Sequence, residues 1–214
     1  MPSGVTEGET RTLLVELASS LFARGYSVGS AGNISARVEG GYVMTPTNSS
    51  LGRLDPARLA KLDRAFQHVG GDAPSKEVFM HRAMYEARPE AGAVVHLHST
   101  MATAMACLAA EGETVPIPPL TPYFVMRAGR TMPVVPYFRP GDSAMGPAIR
   151  DAARDARVVL LANHGPVVSA ATLTDAVYAA EEIEEAARLA LLLRGANPRH
   201  LTEAQVNDLL RAFR

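Results

Sequence analysis

Apolar residues recur along this chain with two periods, and each period marks a type of element. Over TRTLLVELASSLFAR (10–24), Leu13, Leu14, Leu17, Leu21 and Phe22 fall on one face of a helix, and Gly25 stops it. A glycine-bearing turn, SVGSAGN, leads into short β-type runs at 34–38 and 42–45. Asp55 and Pro56 open a short helix as N-cap and first helical residue. Ser75 caps a helix over KEVFMHRAMYEA, whose apolar face holds Val78, Phe79, Met80, Ala83 and Met84, and Arg88-Pro89 ends it.

The second half repeats the alternation of helix and strand. AVVHLHST (93–100) reads as a strand, and Ser99 or Thr100 caps a helix over MATAMACLAA, whose small residues suit close packing on a sheet. A Pro-rich connection, VPIPPLTPYFVMRAGRTMPVVP, carries Tyr123 and ends in a strand near Val134 and Val135. Asp142 caps a helix in DSAMGPAIRDAARD, and the unbroken apolar run in ARVVLLANHG predicts a strand buried on both faces. LTDAVYAAEEIEEAARLALLLRG is a long helix with Thr174 as its cap and Gly195 beyond its end. Helices interleaved with short strands predict an α/β sandwich, a central sheet covered by helices on both faces. At 214 residues a single domain spanning 1–214 suffices.

Composition narrows the function. A net charge of −1 gives no electrostatic footprint for nucleic acid or an anionic membrane, so neither is expected as a partner. One cysteine, Cys107, excludes an intrachain disulfide framework, and its small apolar neighbours predict a buried, inert thiol. The N-terminal MPSGVTEGETRTLL has neither the basic nor the apolar region of a secretion signal, and no apolar run is long enough to span a bilayer. A cytoplasmic location is expected.

The chemistry gathers at strand ends. His96 and His98 lie two apart, so on a strand they share one face while Val95 and Leu97 share the other. A lone buried histidine is commonly satisfied by a neighbour, but two neutral imidazoles side by side need two partners or one shared one, and a metal ion is a shared partner. LLANHG brings His164 to the end of a second buried strand, as a third nitrogen ligand or as a turn histidine bonded to backbone. Glu77, just before the histidine strand, is a candidate acid/base or a solvated carboxylate favoured by a helix start. The turns SAGN and TPTNSS offer backbone N–H groups to an anion, and Ser75 and Lys76 add a hydroxyl and a charge beside them.

Taken together, GSAGNIS, MTPTNSSLG, PSKEVFMH, AVVHLHST, LLANHG and the AEEIEEAAR helix, in that order, resemble the class II aldolase/adducin family nearly end to end. GYSVGSAGNIS, TPTNSSLGRLDP, GDAPSKEV, PLTPYFVMRAG and YFRPGD are most similar to its bacterial subgroup acting on 3-oxo-tetronate 4-phosphates. The resemblance implies that His96, His98 and His164 bind Zn2+ or another divalent metal, that Glu77 is the acid/base, and that Asn33, Thr47 and Ser75 hold phosphate. It further implies that Tyr123 is a proton donor reaching a neighbouring subunit's site in a homotetramer. The family usually has Thr-Gly where this chain has Thr47-Asn48; Asn tolerates left-handed backbone, so the turn is expected to survive, with a side chain able to crowd the phosphate. Lys76 stands where sugar-phosphate aldolases usually have a small residue, and could pair with a substrate carboxylate.

The activity so implied is decarboxylation of a 3-oxo-tetronate 4-phosphate to dihydroxyacetone phosphate and carbon dioxide, through an enediolate. A sugar-phosphate aldolase of the L-fuculose-phosphate type reaches the same enediolate by expelling an aldehyde and is the alternative. A non-catalytic adducin-like binding module is a third reading, which the full set of His96, His98, His164 and Glu77 disfavours. A cupin-like oxygenase shares H-x-H but requires an all-β barrel, against the long terminal helix.

Overall fold

The computed structural model describes residues 6–213. Helix α1 (Glu7–Ala23) begins three residues before the apolar pattern suggests, because Thr6 and Glu9 close a capping box in which each side chain takes the other's backbone N–H. The two expected β-type runs are strands β1 (Asn33–Val38) and β2 (Gly41–Met44), which pair as an antiparallel hairpin. Asp55 accepts from Ala57 N, and Pro56–Arg58 is the short helix it caps, wound as 3-10. Two strands then follow that the residue pattern did not announce, β3 (Ala60–Asp63) and β4 (His68–Gly70).

Helix α2 (Val78–Ala87) starts later than expected. Ser75 does not cap it: its hydroxyl accepts from Glu77 N at 3.2 Å, a local bond that holds the chain one turn short of the helix, and Glu77 itself occupies the N-cap position. Strand β5 (Ala93–His96) ends at its first histidine, and α3 (Thr100–Leu108) follows. Neither Ser99 nor Thr100 caps α3 by its side chain; the buried carboxylate of Glu184 accepts from Met101 N at 2.9 Å and Ala102 N at 2.8 Å instead. The Pro-rich connection contains a helix, α4 (Pro122–Ala128), with Thr121 as cap and Pro122 in its first turn, before β6 (Val134–Val135).

Helix α5 (Met145–Ala152) also starts past its expected cap, since Asp142 accepts from Ala144 N rather than from the helix. Strand β7 (Val158–Leu161) is followed by β8 (Gly165–Ala170), whose Gly-Pro start disguised it as a turn. The cap of α6 (Leu173–Leu192) is Thr172, not Thr174, because Thr172 is the residue three before Asp175 and accepts its N–H. A further capping box, Thr202 with Gln205, starts α7 (Glu203–Ala212).

The eight strands form one sheet in the order β4-β3-β2-β1-β5-β8-β7-β6, antiparallel except for the β6–β7 pair. Alternation along its strands divides the interior into two cores. Ile34, Ala36, Ala93, Val95, Val158 and Leu160 face a core closed by α1, α3, α4, α6 and α7. Val94, Val159, Leu161 and Val167 face the other, closed by α2 and α5. β5 and β7 are therefore buried on both faces, as their apolar runs predict, and the α/β sandwich is the observed architecture.

Cys107 corrects one expectation, since it is exposed. Ala102 and Ala106 carry the buried stripe of α3, and the residue after Ala106 points about 100° around the helix. Among the described residues no helix is long and apolar enough to cross a membrane.

Candidate active site

The same alternation that divides the cores sends His96 to the α2 face of the sheet, level with Val94. The chain stays extended past the end of β5, so His98 follows on the same side: the two Nε2 atoms lie 3.0 Å apart. His164 arrives from the turn between β7 and β8. Asn163 takes a left-handed φ of 56° there, and Gly165 lets the turn approach β5 closely, since a Cβ at that position would meet Leu97 O at 2.4 Å. Its Nε2 also lies 3.0 Å from that of His98. Glu77 completes the group, with Oε2 at 3.7 Å from His96 Nε2 and Oε1 at 3.6 Å from His164 Nε2. The four ligand atoms lie within 4.8 Å of one another.

The imidazoles are held as neutral bases. Burial pushes the His96 pKa well below its ordinary value, and the other two histidines push it further. His98 falls to about 4 for the same reasons, burial first and His164 second. His164 is lowered by burial, which the Glu77 carboxylate partly opposes. The Nδ1 of His96 donates to Pro166 O at 2.9 Å, which leaves its Nε2 with a lone pair. His98 has at most one Nε2 hydrogen to share between two neighbours, so at least one nitrogen faces a lone pair. His164 Nδ1 is buried without a partner, which fits an N–H left over when Nε2 serves as ligand. A divalent cation resolves this conflict, and three neutral nitrogens beside a carboxylate are a donor set suited to one.

Asn33 is 5% exposed and its carboxamide is engaged inside the protein. Its Nδ2 donates to Glu77 Oε2 at 2.7 Å, and its Oδ1 accepts from His81 Nε2 at 2.5 Å. The other residues expected to hold an anion come from two turns joined by a bridge between Pro46 and Pro74. Thr47 is half-buried and donates its N–H to Ala73 O. Asn48 is exposed with φ of 53°, so the turn adopts the left-handed geometry for which glycine is usual. Ser75 is buried, and Lys76 is exposed with no ion pair among the described residues. Tyr123 is not a member of the four-residue cluster; it is in the first turn of α4 and 65% exposed.

His81, Ser35 and Tyr85 were not singled out from the sequence. A signal was available: Asn33 and Ser35 are two apart on a strand, while Glu77, His81 and Tyr85 are four apart on a helix, so each set shares one face. Burial pushes His81 down to about 3, against 6.5 for an ordinary imidazole. Below pH 6.5 the unfolded chain binds a proton that the folded chain refuses until about pH 3, so this residue costs stability as pH falls through that window. In urea titrations, the wild type should lose up to about 1.4 kcal/mol per pH unit more than His81→Gln between those limits. Parallel pH profiles for the two proteins would show that His81 is protonated in the fold.

A cleft of about 520 Å³ lies elsewhere, lined by Arg88, Arg127 and Arg157 among others, and holds none of the four cluster residues. Its arginines are already engaged: Arg88 by Glu90, Arg127 by Asp175 and Arg157 by Met126 O.

Residues 12–191 match the class II aldolase and adducin N-terminal domain. The chain is 46% identical over 206 residues to the 3-oxo-tetronate 4-phosphate decarboxylase of Haemophilus influenzae, across 96% of this chain and 98% of that protein. It is 30% identical over 178 residues to an L-fuculose phosphate aldolase of Escherichia coli, across 83% of this chain and 80% of that one. The solved structure of YgbL from Klebsiella pneumoniae matches at a TM-score of 0.92 and 44% identity, covering 96% of this chain and all of that one (100%).

Proposed function

The chain belongs to the class II aldolase and adducin family, and from that membership we propose that it is a divalent-metal-dependent carbon–carbon lyase. Its substrate in this reading is 3-oxo-tetronate 4-phosphate, which it decarboxylates to dihydroxyacetone phosphate. The observation that carries the reading is the convergence of His96, His98, His164 and Glu77 within 4.8 Å. Identity to a decarboxylase exceeds identity to an aldolase, 46% against 30%, and favours carbon dioxide as the leaving group. The metal is proposed as Zn2+, for which three neutral imidazoles are a common ligand set.

A cation held by the three histidines supplies an electrophile for the substrate's ketone oxygen. The bond from C1 to C2 breaks, its electron pair stays on C2, and carbon dioxide departs. Glu77 takes a proton from water onto Oε1, its Oε2 still accepting from Asn33 Nδ2, and delivers that proton to C2 of the resulting enediolate. Asn33, Thr47, Asn48 and Ser75 hold the phosphate, with the Nδ2 hydrogen of Asn33 not used by Glu77 as its contribution. Lys76 pairs with the carboxylate of the incoming substrate. That pairing must be modest, since binding the carboxylate strongly in the ground state opposes its loss. A reducing cytoplasm suits the exposed, unpaired Cys107.

Metal-loaded protein should release carbon dioxide and dihydroxyacetone phosphate in equal amounts from 3-oxo-tetronate 4-phosphate. Lactaldehyde from L-fuculose 1-phosphate, with no carbon dioxide from the tetronate, would move the protein to the aldolase reading.

Tyr123 is proposed to act in a neighbouring subunit of a homotetramer. Its 65% exposure and its position outside the four-residue cluster support that placement. Each single mutant, Tyr123→Phe or His96→Ala, should be nearly inactive, yet mixing the two should restore some activity, because a hybrid interface unites one intact tyrosine with one intact metal site. Well-mixed hybrids without recovery would confine Tyr123 to its own subunit or to no catalytic role.

A further inference from the structure

Behind Glu77 runs a buried chain of side chains that the reaction does not itself require. Tyr85 O–H donates to Ser35 O at 3.2 Å, and Ser35 Oγ lies 2.7 Å from His81 Nδ1. His81 Nε2 lies 2.5 Å from Asn33 Oδ1, and Asn33 Nδ2 lies 2.7 Å from Glu77 Oε2. His81 is 0% exposed, Ser35 1%, Tyr85 3% and Asn33 5%. The chain links the helix that carries Glu77 to the strand next to β5, and it has only one consistent polarity. A carboxylate accepts only, so Asn33 must turn its NH2 toward Glu77 and its oxygen toward His81. His81 must then carry its hydrogen on Nε2, so Nδ1 accepts, and the Ser35 hydroxyl must donate to it.

We propose that His81 is a positioning residue: its Nε2–H fixes the orientation of the Asn33 carboxamide, which in turn holds Oε2 of Glu77 beside His96 and leaves Oε1 facing His164. Without that donor the carboxamide is free to flip and present its oxygen to the carboxylate, which repels Glu77 from the site. The proposal rests on the reading of Glu77 as the acid/base. The bland account of the same residue is a core histidine that is merely satisfied where it lies.

Near-isosteric substitutions separate the two. Gln at this position retains an N–H at the place of Nε2, whereas Met retains bulk and has no donor. His81→Met should lower kcat by about 10- to 100-fold, the range for residues that orient a first ligand shell. Metal content should stay within about threefold of wild type, and His81→Gln should retain kcat to within about threefold, each far below that range. In a Glu77→Gln background His81→Met should cost less than about twofold, because the carboxylate it orients is gone. Equal losses in the Met and Gln variants, or the full loss persisting in the Glu77→Gln background, would overturn the proposal. Near-normal turnover of Glu77→Gln alone would overturn the acid/base reading instead, so the two failures are distinct. Imidazole 15N spectra of the wild-type protein need no variant to fold: they should show His81 as the neutral Nε2–H tautomer, and a neutral Nδ1–H tautomer would reverse the chain and overturn the proposal.

Discussion

Replacing His96 with alanine should remove the metal and the activity together. His96 is 0% exposed, and its Nδ1 is anchored to Pro166 O, so its Nε2 is aimed by the backbone of β8 rather than by a mobile neighbour. With that nitrogen gone, His98 and His164 remain as two imidazoles 3.0 Å apart, which two neutral rings satisfy by one hydrogen bond without a cation. Turnover should fall by at least about 10²- to 10³-fold, the usual loss when one preorganised charge stabiliser is removed. Chelator should lower the melting temperature of the wild type, since an ion bound only by the native state stabilises it, and should leave that of His96→Ala unchanged. Full metal occupancy and turnover in His96→Ala would remove this residue from the site.

Glu77→Gln should leave a folded, metal-loaded protein that turns over about 10²- to 10⁴-fold more slowly, the range for loss of a general acid/base. A glutamine oxygen can still accept from Asn33 Nδ2, so the variant retains the shape of the site and the hydrogen bond at Oε2. What it lacks is a group that gains and releases a proton. Inhibition by inorganic phosphate should therefore survive while kcat collapses. Near-wild-type turnover would return Glu77 to a helix-start carboxylate.

The sequence made the histidines legible because strand alternation is a local rule. His96 and His98 converge even though β5 stops at the first of them, since the extended backbone continues through the second. His164 was legible for the same reason: a buried apolar run must end, and here it ends in an imidazole. Helix starts were legible only to within a few residues. Ser75 and Asp142 are good capping residues whose oxygens took a nearby backbone N–H outside the helix, an alternative that local sequence does not distinguish. β8 was hidden by Gly165 and Pro166, which read as a turn but serve as the close approach to β5 and as the acceptor for His96. Strands β3 and β4 have too few apolar positions to announce themselves, and β3 pairs non-locally with β2 before β4 adds on at the sheet's edge.

The chain from Tyr85 to Glu77 was the larger omission. Each of its residues has an ordinary local reading: His81 a core histidine, Ser35 and Asn33 polar positions on a short strand. Only docking of α2 on the sheet gives those positions a common direction. Glu184 behaves similarly, as one acid among several in α6 until its contact with the start of α3 shows which one turns inward.

The central claim is that the three histidines and Glu77 form one site that makes and protonates an enediolate, whichever group leaves. Dihydroxyacetone phosphate is the protonated form of that species, so the last step can be observed in reverse without the tetronate substrate. In D2O, metal-loaded protein should exchange one hydrogen on the hydroxymethyl carbon of dihydroxyacetone phosphate for deuterium, as followed by proton NMR. Exchange should vanish with chelator or in His96→Ala and should slow with Glu77→Gln. Exchange that persists unchanged in His96→Ala, or its absence from metal-loaded wild type that binds dihydroxyacetone phosphate, would contradict the account.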